Sequence, residues 1–354
     1  MKIGIFDPYT DDVGGGERYM LTIASCLAKE HSVDLFWDNK TDVKRIEERF
    51  SLNLSKINLV KNIFNGSVSF KDKILTTKKY DSLVFLSDGS IPFVLSKKLF
   101  LHIQQPITSI SISSKDKLKL RRVNKIFVNS SFTKGFVDKT YGVRSELLYP
   151  PVSIFGNKNK KENIILHVGR FRVLNVRTTD YKKQQVMIDA FKDLIDKGLK
   201  NWKFVLAVSL PDVNDERFVV MRNSAKNYPI EFIVNSNKDE LWKTGAKAKI
   251  YWHASGFGED LVNHPELAEH FGISTVEGMG VGAVPVAINA GGQKEIVKDG
   301  ENGFLWNSLP EFKNKTLELI NDQVLWEKMS KKAFEDSKFY DEENFCKKVN
   351  ELIK

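Results

Sequence analysis

The chain has 354 residues, of which 42% are apolar and 28% charged, and a formal charge of +9 at pH 7. That length is enough for two domains with buried cores, and that balance excludes a disordered chain. No apolar run approaches the roughly 20 residues needed to cross a bilayer.

The first predicted element is a strand over Lys2–Phe6, a short apolar run. It follows directly on Met1 and is too short for a signal peptide, so a cytoplasmic protein is expected. Asp7 to Val13 reads as a polar turn, and Gly14, Gly15 and Gly16 open a helix from Glu17 to about Ala28. A second strand over residues 31–37 completes a βαβ unit with parallel strands. Three glycines between strand and helix let a ligand approach the backbone with no Cβ in the way. The dinucleotide fingerprint G-x-G-x-x-G is met only in its first half, because Tyr19 stands at its third glycine; Asp38 is spaced for a ribose contact, so that alternative stays open. Cys26 and Cys346 lie at opposite ends of the chain, and neither a disulfide framework nor a metal cluster is expected of them.

Further strands are predicted over residues 81–87 and from Leu99 to about Gln104. His102 sits at a strand's carboxyl end, where open parallel sheets bind ligands, and reads equally as a structural histidine. Lys115, Lys117, Lys119, Arg121, Arg122 and Lys125 are opposed only by Asp116. Such a cluster serves an anionic partner or is a solvated helix face. No zinc-finger spacing, RNP-like strand or recognition helix accompanies it, so nucleic acid is not expected. Lys125–Thr133 reads as strand, capping turn and helix, and Pro150-Pro151 with the polar stretch from Gly156 marks a linker. The domains are therefore set at 1–155 and 156–335.

In the second domain a strand from Asn163 ends at Gly169 and Arg170, and a helix follows around residues 185–194. Strands over 203–209, 229–234 and 249–254 continue the alternation. Then comes Glu269-His-Phe-Gly-Ile-Ser-Thr-Val-Glu277, with a turn at Gly272, a helix starting near Ser274 and a buried strand after it. Backbone N–H groups at that helix start favour an anion, and Glu269 and Glu277 can accept hydrogen bonds from sugar hydroxyls. A phosphate beside two such carboxylates describes a sugar nucleotide, although carboxylates are also ordinary near a helix start. His253, His264 and His270 lack a completing carboxylate or cysteine, and no Asp-x-Asp motif occurs, so no metal site is expected. Three helical segments close the chain from Pro310.

Glu269, Phe271, Gly272, Glu277, Met279, Gly282, Pro285 and Val286 stand in register with the donor-binding signature of retaining family-4 glycosyltransferases of the GT-B fold, which the chain resembles. Gly278 and Gly280 depart from its alanines. The Trp252-His253-Ala254 run with Glu269–Ile273 is similar to a subgroup of mannosyltransferases acting on lipid-linked oligosaccharides. The resemblance implies two facing Rossmann-like domains with the active site in the cleft between them, and a C-terminal helix, residues 336–354, that crosses back to the first domain. It implies transfer of a hexose, of mannose or glucose type, from a UDP- or GDP-linked sugar to a glycan or lipid-linked acceptor, with retention, no cofactor and no metal. Arg170 and Lys182, with Lys183 beside it, would carry the donor diphosphate, helped by the loop at Gly15 and Gly16 and by Phe271, Gly272, Ile273 and Ser274. Glu269 would hold sugar hydroxyls from an exposed position, Glu277 would bind the ribose, and His102 would lie near the reacting sugar. The segment from Arg172 to Tyr181 is longer than usual and would form a loop over the site. Given the resemblance, the basic cluster points to an anionic membrane or a pyrophosphate-linked acceptor. A sugar-nucleotide epimerase or an idle sugar-nucleotide-binding protein of the same fold are the alternatives.

Overall fold

The computed structural model describes residues 1–12, 14–108, 110, 112–156, 159–171 and 180–354. It divides into two α/β units, Met1–Pro151 with Glu342–Lys354, and Val152–Asp341. The long segment expected to cover the site lies mostly outside the described residues.

Unit 1 runs β1 (Lys2–Phe6), α1 (Gly15–Leu27), β2 (Ser32–Phe36), α2 (Lys40–Phe50), β3 (Ile57–Val60), α3 (Phe70–Thr77), β4 (Ser82–Leu86), β5 (Lys98–Ile103), α4 (Ser114–Leu120), β6 (Lys125–Val128), α5 (Ser131–Tyr141) and β7 (Glu146–Leu147). The strands are parallel in the order β3-β2-β1-β4-β5-β6-β7. Helices cover both faces, so the central strands are buried on both sides and read as continuous apolar runs. Asn39, Ser69, Ser113 and Ser130 cap α2, α3, α4 and α5 by accepting backbone N–H groups. Helix α1 starts at Gly15, two residues before the expected point. Its first turn is closed by the Glu17 carboxylate, which accepts from the Gly14 N–H at 2.8 Å.

Unit 2 runs β8 (Glu162–Arg170), α6 (Gln184–Asp196), β9 (Lys203–Ser209), α7 (Glu216–Ser224), β10 (Ile230–Val234), α8 (Lys238–Gly245), β11 (Ala248–His253), α9 (Ile273–Gly280), β12 (Val284–Ile288), α10 (Gln293–Ile296), β13 (Phe304–Trp306), α11 (Leu309–Asn321) and α12 (Gln323–Ser337). Its sheet has the same winding, β10-β9-β8-β11-β12-β13, all parallel. Trp252, Phe191, Phe204, Phe312 and Trp306 pack together in its core.

Helix α13 (Glu342–Ile353) belongs to unit 1. Phe345, Val349, Leu352 and Ile353 share a core with Tyr19, Ile23 and Leu27 of α1. Cys26 and Cys346 form a disulfide across this contact, with Cα atoms 5.2 Å apart. The expectation that these cysteines form no disulfide is thereby corrected. Their separation of 320 residues along the chain is bridged because the last helix completes the first unit's core.

Candidate functional site

In each sheet the winding reverses beside the first strand of its unit, between β1 and β4 and between β8 and β11. Ligands of open parallel sheets bind at the carboxyl ends of strands at such a reversal. In unit 2 the residues delivered there come from β8, the start of α6, the end of β11 and the turn before α9. Asp180 caps α6 with both carboxylate oxygens, accepting from the Gln184 and Gln185 N–H groups at 2.8 Å each. Next to this cap, Lys182 Nζ reaches Glu269 Oε2 at 2.6 Å. The same oxygen accepts from His253 Nε2–H at 3.1 Å. Tyr181 joins the two loops, its hydroxyl donating to the Ala268 carbonyl at 3.0 Å while Lys182 Nζ lies 5.0 Å from its ring centre. Lys183 turns to a different carboxylate, Glu259.

The side chains of Lys182 and Glu269 are only 17% and 18% exposed. This corrects the expectation of an exposed Glu269: a carboxylate this enclosed persists because a cation and a ring N–H meet it. Burial pushes the Glu269 carboxyl up, but Lys182 and His253 outweigh it and hold the group well below the usual carboxylate range. His253 is shifted the other way, down, first by burial, and stays neutral. His167 donates from Nδ1 to the Trp252 carbonyl at 3.0 Å, and burial pushes its pKa down to about 3. The arrangement is therefore a fixed ammonium and a fixed carboxylate, with two neutral imidazoles behind them. Arg170 ends β8 in an exposed position at the same edge.

The turn into α9 is built on glycines. Gly272 adopts φ 122°, and a Cβ there would lie 2.1 Å from Gln293 Nε2. A Cβ on Gly292 would lie 2.5 Å from the His270 carbonyl oxygen. Gln293 is fully buried and bridges the turn, donating to the Phe271 carbonyl at 3.2 Å and accepting from Thr275 Oγ1 at 2.9 Å. Tyr251 OH donates to Ser274 Oγ at 2.8 Å. Ile273 and Ser274 thus present the first turn of α9, whose leading N–H groups have no acceptor inside the helix. Glu277 lies one turn further on and is largely buried. Phe271, expected at the donor, is instead buried against Tyr340, ring centres 5.3 Å apart, and anchors the turn from below.

Unit 1 shows less. A Cβ at Gly16 would meet Gln104 Oε1 at 2.5 Å, so a larger residue there would displace that amide, and Gly15 begins α1 beside it. Asp7, just after β1, is fully buried; Oδ1 accepts from the Tyr9 N–H at 2.9 Å and Oδ2 has no partner. Burial raises its pKa to about 7. His102 has no exposed surface and stacks on Tyr19, ring centres 4.1 Å apart, with Phe127 at 4.9 Å. Its Nδ1–H donates to the Phe127 carbonyl at 3.2 Å, and burial drops its pKa to about 3. The ring is packed inside the unit rather than open to a substrate.

Comparison with known proteins adds to this geometry. The family described as "Glycosyl transferases group 1" matches residues 153–336. A GDP-Man:Man(3)GlcNAc(2)-PP-Dol alpha-1,2-mannosyltransferase of Dictyostelium discoideum is 27% identical over 303 residues, covering 79% of this chain and 56% of that protein. A Campylobacter jejuni GalNAc-alpha-(1->4)-GalNAc-alpha-(1->3)-diNAcBac-PP-undecaprenol alpha-1,4-N-acetyl-D-galactosaminyltransferase is 28% identical over 234 residues, 58% of this chain and 61% of that one. The chain thus spans little more than half the length of these curated relatives. In fold it is similar to Anabaena Alr3699/HepE, solved with UDP, at a TM-score of 0.73 and 18% identity, covering 100% of this chain and 99% of that one.

Proposed function

The chain belongs to the group 1 glycosyl transferases, and from that membership we propose that it moves a hexose of mannose or glucose type from a nucleoside diphosphate to a hydroxyl of a lipid-linked glycan. Retention at the anomeric carbon and independence of a metal are part of the proposal, and rest on the likeness of the Glu269–Glu277 segment to the retaining signature.

The Lys182–Glu269–His253 cluster at the sheet reversal of unit 2 is the observation that carries it. Loss of the sugar leaves negative charge on the diphosphate. Lys182, Arg170 and the leading N–H groups of α9 are the groups to stabilise that charge, a point charge, a fork and a helix start acting on one anion. Glu269 stays ionised, so it only accepts hydrogen bonds, the chemistry needed to hold sugar hydroxyls. Glu277, on the next turn of α9, is assigned to the ribose. Lys182 is preferred to Lys183 for the diphosphate because it shares the carboxylate that would hold the sugar. The acceptor is assigned to unit 1 and its lipid diphosphate class to the names of the relatives, which carry PP-Dol and PP-undecaprenol. We place the protein peripherally at the cytoplasmic face of a membrane; no helix among the described residues is long and apolar enough to cross one.

Thermal melting with a panel of nucleoside diphosphates and their sugars tests the donor site. A ligand at one hundred times its dissociation constant adds about 2.7 kcal/mol. One base and its sugar series should raise the melting temperature, and nucleoside diphosphate should then be released only when a polyprenyl-diphosphate glycan is added. No shift with any nucleotide would sink the donor site, and release that ignores the acceptor would sink the transferase reading.

A further inference from the structure

The positive charge of this chain is concentrated. Residues 70–79 carry four lysines against Asp72, and residues 113–125 carry six basic side chains against Asp116, so these two segments hold eight of the nine excess charges of the chain. They belong to α3 and α4 with the turns that follow, 35 or more residues apart in sequence, yet both are tied to the connection between β4 and β5. Phe70 at the start of α3 stacks on Phe93, ring centres 5.9 Å apart. Thr77 Oγ1 at the end of α3 accepts from the Leu95 N–H at 3.2 Å. Arg122, just after α4, donates to the Val94 and Ser96 carbonyls at 3.2 and 3.3 Å.

Large apolar side chains on α3, α4 and the β4–β5 connection are also exposed. Phe70 is 65% exposed, Leu75 52%, Phe93 44% and Leu118 63%. Scattered single apolar residues need no explanation, but a stacked exposed aromatic pair within a basic field does. Part of the charge is already spoken for, since Lys119 pairs with Asp116 and Lys125 with Glu146. Lys115 and Lys117, on the outward side of α4 beside Leu118, are exposed.

We propose that the α3–α4 face of unit 1 docks on an anionic lipid bilayer, its lysines meeting the headgroups while Phe70, Phe93 and Leu118 enter the headgroup–acyl boundary. Both features are needed: charge draws the face to the bilayer within a Debye length, and short apolar side chains hold it there without a spanning helix. Nucleic acid would use the charge but gives no role to protruding leucines. The docking rests on the reading of a lipid-linked acceptor, to which it would bring the enzyme; α3 and α4 belong to unit 1 and the Lys182–Glu269–His253 cluster to unit 2.

Sedimentation with vesicles of phosphatidylcholine alone, and with about a third phosphatidylglycerol, tests it on the full chain. Binding should require the anionic lipid. Neutralising two surface lysines, Lys115→Gln with Lys117→Gln, should weaken it roughly 25-fold, at about a factor of five per charge. Phe70→Ser with Phe93→Ser should abolish binding at a salt concentration that leaves wild type bound. Leu118→Ser serves as a second apolar variant should that pair lower the melting temperature. Nucleotide-dependent thermal shifts should be unchanged in all of them. Vesicle binding without any nucleotide shift would refute the donor reading and leave the docking face standing. Equal binding to neutral vesicles, no binding to either, or tighter retention of RNA than of vesicles would overturn the proposal.

Discussion

Replacing Glu269 by alanine separates two roles of one carboxylate. Its partner Lys182 is 17% exposed, so removal of the acid leaves a mostly enclosed ammonium unpaired and the His253 Nε2–H without an acceptor. Breaking a fully buried ion pair costs about 3–5 kcal/mol, and residual exposure screens part of that. We take roughly 3 kcal/mol for the ion pair and the lost hydrogen bond together. For a unit of this size that is a fall of about 6–12 °C in melting temperature. Glu269→Ala should therefore lose transfer and stability together. The double variant Glu269→Ala with Lys182→Met should recover part of the stability and none of the transfer, because the orphaned charge is gone. The pH dependence has a definite sign. The folded carboxyl titrates well below its ordinary value of 4.5, so its stabilisation is fully present above that value and is lost as pH falls beneath it. The gap between wild type and Glu269→Ala should accordingly be constant above about pH 5 and narrow steadily as pH falls below 4.5. Scanning calorimetry across that range is the assay. A Glu269→Ala variant melting within 1 °C of wild type, or a double variant no better than the sum of the singles, would refute the ion-pair account.

Other variants test other parts of the structure. Gly292→Ala places a Cβ 2.5 Å from backbone atoms of the preceding turn and should cost about 2 kcal/mol or more while weakening the nucleotide-dependent thermal shift; an unshifted variant with full nucleotide response would show that the turn tolerates it. Cys346→Ser should raise hydrogen exchange in α13 and lower the stability of unit 1 by up to about 5 kcal/mol, with unit 2 unaffected. Unaltered exchange in α13 would show that packing alone holds the helix. His102 binds its proton only near pH 3, whereas the unfolded chain takes one near 6.5, so this group costs stability as pH falls from 6.5. The loss should reach about 2–3 kcal/mol at pH 4.5, and urea unfolding of His102→Phe should show that slope removed.

The strands and their order of appearance were legible because parallel strands covered on both faces are continuous apolar runs, and Ile3, Ile5, Leu83 and Val84 are such residues. The donor turn was legible for another reason: Gly272 at positive φ and Gly292 against backbone have no substitute, so the local sequence is constrained. Residues 39–80 yielded no predicted element. There α2 buries little besides Ile46, and β3 is half exposed, which leaves no clear period to read. The disulfide was illegible since pairing depends on where α13 docks, not on spacing. Glu269 was misjudged because its enclosure depends on Lys182, 87 residues earlier. The two readings of His102 stayed open in the sequence because a residue near a strand's end can belong to the face beneath a helix as well as to the open edge. His253 and Gln293 lay in runs already singled out, but nothing local shows that one reaches Glu269 and the other spans the α9 turn.

The distribution of unsatisfied polar atoms argues that the reversal point of unit 2 was shaped by something other than stability. Buried donors and acceptors in folded proteins are nearly all paired, and each orphan costs about 1–3 kcal/mol. Among the described residues the buried side chains with a polar atom lacking a partner include His167, Gln184, His253 and Ser255. His167 lies in β8, Gln184 begins α6, His253 ends β11 and Ser255 follows two residues later, on the elements that flank the sheet reversal of unit 2. Asp7 Oδ2 occupies the matching position in unit 1, after the first strand of its sheet. Ser82, His102 and Trp306 are the orphans elsewhere. A buried ion pair is itself poor evidence of stabilisation, since apolar replacements of equal volume often fold as well. Concentrating neutral imidazoles, an unbonded amide and an enclosed ion pair at one sheet edge is costly for folding and useful for chemistry. There, preset charges act on a developing anion without reorganising at the moment of reaction.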